Sequence, residues 1–202
     1  NDGVFNQNDY ILFYGQSPNV WKKSGSDFVY QKNLFSDTSY YFITADLGAG
    51  KRITQRASAA SYTHVVNSFD DWAVHEDDRK NLIKTGKDWY GEQFGVVNTY
   101  EFNFQFPNID PGTPVKLDVD LVSHSVNNNS TFIVNANGNT MSVQDDKVGN
   151  HYTSIYGDKT NISMNFNTSN PLINVEINFT QGNSSCLAWL NKIKVRSRRL
   201  LK

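Results

Sequence analysis

Val115-Lys116-Leu117-Asp118-Val119-Asp120-Leu121 puts an apolar residue at every second position and a charge between each pair. Successive side chains of a strand point to opposite faces, so this stretch is a strand with one dry face and one wet one. The same period recurs through the second half of the chain. Tyr100, Phe102, Phe104 and Phe106 alternate with Glu101, Asn103 and Gln105. Ile162, Met164 and Phe166 flank Ser163 and Asn165, and Ile173, Val175, Ile177 and Phe179 flank Asn174, Glu176 and Asn178. Leu187, Trp189, Ile193 and Val195 share one parity, with Lys192, Lys194 and Arg196 on the other. Strands of this kind suit antiparallel sheets packed face to face.

The turns agree with the strands. Asn137-Gly138 sits between Phe132–Ala136 and Thr140–Val143, a strong hairpin signal. Asn108-Ile109-Asp110-Pro111-Gly112-Thr113-Pro114, Tyr156-Gly157-Asp158 and Gln181-Gly182-Asn183 mark three more turns. The 25 asparagines fit a chain rich in turns and polar strand faces. Residues 96–202 are therefore expected to form an antiparallel, jelly-roll-like β-sandwich.

The first half is less regular, and residues 1–95 are expected to be a smaller β-rich region. Tyr10–Tyr14 and Tyr40–Ala45 are continuous apolar runs that suit strands buried on both faces. Lys51–Ala57 and Tyr62–Val66 suit further strands after a turn at Gly48-Ala49-Gly50. One short helix is expected over 76–85: Glu76, Asp77 and Asp78 supply a first-turn charge, Leu82 and Ile83 an apolar edge, and Gly86 a stop.

Composition excludes several classes of function. Across 202 residues, 19 basic side chains meet 20 acidic ones for a formal charge of −1, which argues against binding nucleic acid or anionic lipid by bulk charge. The single cysteine excludes an internal disulfide framework and a multi-cysteine zinc site. No apolar run approaches the ~18 residues of a membrane span. The chain opens Asn1-Asp2-Gly3, without initiator methionine or signal peptide, and closes on Arg196–Lys202, a basic-apolar run. It is expected to be part of a longer or processed protein.

The residue groups that suggest chemistry are incomplete. His75-Glu76 begins a zinc-protease motif, but Arg79 stands where the second histidine is required. Cys186 needs a base such as His124 or His151 to act as a nucleophile, and it opens a patterned strand, where a lone cysteine is a small buried hydrophobe. Gly48-Ala49-Gly50-Lys51 lacks phosphate-loop spacing. Asp70-Asp71, Asp77-Asp78 and Asp145-Asp146 offer hard oxygen ligands without an EF-hand spacing. Six Asn-x-Ser/Thr sequons, at Asn128, Asn129, Asn161, Asn167, Asn178 and Asn183, matter only in a eukaryotic secretory route. No catalytic residue, metal site or cofactor is expected. Trp21, Trp72 and Trp89 suit core packing; exposed on a shared face they would instead stack on sugars, as in a carbohydrate-binding sandwich module.

Three stretches resemble one family. The first runs Asp9-Tyr10-Ile11-Leu12-Phe13-Tyr14-Gly15-Gln16-Ser17-Pro18-Asn19-Val20-Trp21, through Phe28, Gln31-Lys32-Asn33 and Ser36-Asp37 to Tyr40-Tyr41-Phe42-Ile43-Thr44. The second is His75-Glu76-Asp77-Asp78 through Asn81-Leu82 to Thr85-Gly86-Lys87-Asp88-Trp89-Tyr90-Gly91-Glu92-Gln93-Phe94. The third is Ala188-Trp189-Leu190-Asn191-Lys192-Ile193 through Arg198-Arg199-Leu200. In order and in content they are similar to the PorU-type sortases of type IX secretion, gingipain-like cysteine peptidases of the C25 type. The segment Trp89 to Glu92 is the most specific match. Gln16-Ser17-Pro18 replaces the usual Gly-Pro, Gln31 stands where histidine is common, and Phe35 replaces tyrosine. The resemblance implies a protein exported to the outer-membrane surface of a Bacteroidetes-type bacterium. Such a protein removes sorting domains from secreted cargo, helps attach that cargo to lipopolysaccharide and is held by a PorV-like barrel. The resemblance also implies a downstream peptidase domain in the same chain that carries the Cys/His pair. No residue here matches that pair, so none is carried over. The region itself is expected to be non-catalytic and to serve in domain packing and in docking of cargo or partner.

Overall fold

Each alternating segment of the second half is a strand in the computed structural model, which describes residues 6–7, 10–25, 27–44, 47–48, 54–84 and 88–201. The strands in chain order are β1 (Val20–Ser24), β2 (Asp27–Gln31), β3 (Ser68–His75), β4 (Gln93–Phe94), β5 (Thr99–Gln105), β6 (Val115–His124), β7 (Thr131–Ala136), β8 (Asn139–Gln144), β9 (Asp158–Phe166), β10 (Leu172–Thr180) and β11 (Leu187–Leu200). The chain divides into two units, Asn1–Ala60 and Ser61–Lys202.

In the first unit β1 and β2 form an antiparallel hairpin across Gly25, with the Trp21 and Tyr30 rings 5.1 Å apart. Tyr10–Tyr14 and Tyr40–Thr44, expected as buried strands, belong to no strand, and their large side chains are exposed. A run of apolar residues becomes a strand only where another backbone accepts its ladder. The expected strand over 51–57 has no ladder at 54–57, and 51–53 lie outside the described residues, as do Ala45, Ala49 and Gly50. Tyr62–Val66, in the second unit, is likewise no strand.

The second unit is an antiparallel sandwich. One sheet is ordered β5-β10-β7-β8 and the other β3-β11-β6-β9, with β4 added on β11. Counting β3 and β5 to β11 as the first to eighth strands, the sheets read 2-7-4-5 and 1-8-3-6, the order of a jelly roll. The inward residues meet in one core: Phe132, Val134, Val175 and Ile177 from one sheet face Leu117, Val119, Ile162 and Ile193 from the other. Burying each such side chain stabilises the fold by ~1.5–3 kcal/mol. Asn137 and Gly138 both have positive φ (48° and 87°), as the primed turn of the β7–β8 hairpin requires.

Three departures from the sequence reading have physical causes. The first is that Ser68–His75 is a strand, although Asp70-Asp71 breaks its alternation. It pairs with the basic end of β11, so Asp70 meets Arg196 (3.0 Å) and Arg198 (3.3 Å), and Asp71 meets Arg199 (2.6 Å). The second is a register shift between Leu190 and Lys192 on β11. This bulge reverses the inward parity, so Ala188, Leu190, Ile193 and Val195 enter the core, while Trp189 points to the opposite face with Tyr90 and Val122. The common parity assigned to Leu187, Trp189, Ile193 and Val195 therefore does not hold. The third is that, of the helix expected at 76–85, the described residues 76–84 form none. The described residues 76–84 are irregular, residues 85–87 lie outside the description, and no helix occurs among the described residues. Arg79 and Lys80 give their amides to the Tyr90 carbonyl (both 2.9 Å), and Tyr90 N–H returns to Lys80 (2.9 Å). Leu82 and Ile83 alone are too narrow an apolar face to favour a helix over these bonds.

Candidate functional site

The second motif stretch folds back on itself at a buried carboxylate. Glu92 is 5% exposed; His75 Nε2 lies 3.2 Å from its Oε1, and Arg79 Nη2 donates to the same oxygen at 3.3 Å. Gly91 N–H donates to Leu190 and Leu190 N–H to Glu92, which ties this turn to β11 at its bulge. A Cβ on Gly91 would stand 2.8 Å from the Asp77 carbonyl oxygen, so glycine allows the two arms to touch. Burial pushes the Glu92 carboxyl up, but the His75 hydrogen bond, its own backbone amide and the charges of His75 and Arg79 outweigh that and hold it below the usual carboxylate range. Both oxygens are engaged by His75, and together with Arg79 the contact anchors the turn.

A depressed carboxyl stabilises the folded state above its unfolded pKa of ~4.3, and that contribution fades as pH falls through the lower folded value. Glu92→Gln is therefore expected to flatten the loss of stability on acidification below pH ~4.3. Urea midpoints of both proteins across that range measure it. Parallel curves would mean that Glu92 is not held ionised by its partners.

A cleft opens where this segment passes the edge strand β9. Leu82, Ile83, Val122, Tyr90 and Tyr156 line a space of about 400 Å3, with Asp88 and Lys159 among its lining residues. Lys159 Nζ lies 2.6 Å from Asp88 Oδ2, and that hydrogen bond raises the lysine's pKa and keeps it charged. Burial pushes the Tyr90 phenol up, so it stays protonated. Tyr156 stacks on His124 with centroids 4.5 Å apart and planes at 16°, and His124 Nδ1 lies 2.5 Å from the Tyr156 carbonyl oxygen. Ile83 and Tyr156 also line a second space of about 390 Å3 with His151, Asn150, Ser154 and Ile155. This cleft was not legible in the sequence, beyond the Tyr156-Gly157-Asp158 turn that borders it.

Apart from His151, which lines the second space, the other candidates fall elsewhere. Cys186 is fully buried in the core, its Sγ 3.8 Å from the Asn128 carbonyl, and no imidazole bonds to it among the described residues. His151 bonds Thr153. Asp77 pairs with Arg79 (2.6 Å), and Asp145 is buried against Ser125 and Ser130. No group of three or more candidate metal ligands occurs among the described residues. Trp21 and Trp89 are partly exposed, Trp72 is half-buried under the Arg196 guanidinium (5.7 Å), and Trp189 is buried.

The fold superposes on a segment of PorU from Porphyromonas gingivalis, solved as a dimeric latent form. The TM-score is 0.74 and the identity 21%, over 91% of this chain and 18% of that one. This chain thus spans less than a fifth of the PorU chain it matches, and likeness at this identity speaks for the fold. The CBM36-1 domain of a multidomain xylanase from the hindgut metagenome of Trinervitermes trinervoides superposes with TM-score 0.40 and 12% identity, over 62% of this chain and 96% of that one. TmCBM61, solved with β-1,4-galactotriose, gives TM-score 0.38 and 12% identity over 61% and 86%. No family model matches the sequence, and no curated protein matches it.

Proposed function

We propose that this chain is the non-catalytic N-terminal β region of a PorU-like sortase of type IX secretion, of the gingipain-like C25 peptidase family. In this role it packs on a peptidase domain of the same polypeptide at the outer-membrane surface and docks secreted cargo or a PorV-like barrel. The superposition on a PorU segment over 91% of the chain carries the proposal. It is supported by three motif stretches that resemble the same proteins on independent grounds. Two arms of the second stretch, His75 to Arg79 and Tyr90 to Glu92, meet in one ion-paired turn, which gives those residue types a physical reason to occur together.

The coding sequence that follows Lys202 tests the proposal. A peptidase domain with a histidine and then a cysteine in catalytic spacing is the expected result; a stop codon or an unrelated domain there overturns it. The isolated chain is expected to leave Arg- and Lys-containing fluorogenic peptides uncleaved. Turnover that disappears in Cys186→Ala would overturn its non-catalytic role.

A further inference from the structure

We propose that the cleft lined by Leu82, Ile83, Asp88 and Tyr90 on one side and by Tyr156 and Lys159 on the other binds a neutral saccharide, its ring stacked on Tyr156 and its hydroxyls held by the Asp88–Lys159 pair. The site does not rest on the sortase proposal, and its failure would leave that proposal to its own test.

The lining selects the ligand. Tyr156 presents a flat ring whose orientation is set by the near-parallel His124 stacked on it. Gly157 makes this possible: a Cβ there would lie 2.7 Å from Val122 Cγ2 and 2.9 Å from the Ser123 carbonyl oxygen, so the loop settles onto β6 only without a side chain. A fixed aromatic face suits the C–H face of a pyranose, and Leu82 and Val122 extend that apolar surface. Asp88 accepts and Lys159 donates side by side, and both are well exposed, so neighbouring hydroxyls find one of each. Because the two charges cancel, the lining offers no net field to draw a phosphate or a free cation. The adjoining space, which shares Ile83 and Tyr156, adds the polar groups of Asn150 and Ser154 and the imidazoles of His124 and His151. Volumes of about 400 and 390 Å3 fall within the usual range for small-ligand sites and give room for consecutive rings.

Isothermal titration of the 202-residue chain with cellotriose, xylotriose, mannotriose, galactotriose and N,N′,N″-triacetylchitotriose tests the site, with trigalacturonate and inorganic phosphate as charged comparators. At least one neutral trisaccharide is expected to bind more tightly than either anion. Tyr156→Ala should weaken it at least roughly tenfold, Tyr156→Phe should retain it, and Trp21→Ala should leave it unchanged. If Tyr156→Ala lowers the melting temperature, Asp88→Asn with Lys159→Gln provides the second readout and should also weaken binding. Absence of heat for every neutral sugar at roughly 10 mM, binding of the anions alone, or unchanged affinity in both the Tyr156→Ala and the Asp88→Asn, Lys159→Gln proteins would overturn the proposal.

Discussion

Phe94→Ala is expected to destabilise the sandwich by ~3–5 kcal/mol, the range for removing a large aromatic from a packed core. Phe94 has no exposed surface and pairs through the short β4 with Ala188 of β11. Its ring meets Tyr100 edge-on at 5.0 Å, Phe132 at 6.4 Å and Phe179 at 6.1 Å, all from the facing sheet, so its loss leaves a void between the two sheets. In a domain of this size the melting temperature should fall by roughly 10 °C. Phe35→Ala, at a side chain 95% exposed, should stay within ~0.5 kcal/mol of the parent. Equal shifts for the two would mean that residues 93–94 do not close the core.

Asp145→Ala is expected to cost ~2–4 kcal/mol, because it strands two buried donors at ~1–3 kcal/mol each. The carboxylate is 1% exposed; Oδ2 accepts from Ser125 Oγ at 2.6 Å and Oδ1 from the Ser130 amide. Ser125 and Ser130 share a further bond (2.8 Å), and Gly182 N–H donates to Ser130 Oγ (3.1 Å), so one acid organises the turn between β6 and β7. Asp145→Asn should fall between Ala and the parent, since its amide keeps one acceptor and sets a donor against another donor. Urea midpoints at unchanged m-value measure both. An alanine variant as stable as the parent would show that water replaces the carboxylate.

The sandwich was legible because its strands alternate. Val115–Leu121 and Ile173–Phe179 have one apolar face each, and that face can only turn inward. The Asn137-Gly138 turn was legible for a local reason too, the positive φ that these residues tolerate. The first strand of the jelly roll was hidden because Asp70 and Asp71 are answered by Arg196, Arg198 and Arg199, some 126 to 128 residues away. The charge partners of Glu92, 17 and 13 residues before it, were concealed as well, although both arms lay within one motif stretch. Nothing local to Tyr156 or Lys159 announces a cleft, since its walls come from β6, the segment before β4 and the approach to β9.

The amino-acid order alone determined the β class, the antiparallel pairing and most of the inward face, because side-chain alternation and turn chemistry act between near neighbours. Only the tertiary structure decided that Trp189 turns at a bulge from the sandwich core into a second buried cluster, that 76–84 is no helix, and that the acidic strand joins the basic one. Those outcomes depend on which distant backbone takes a hydrogen bond and which distant charge offsets a buried one, and free energies of that kind exist only once the chain has closed.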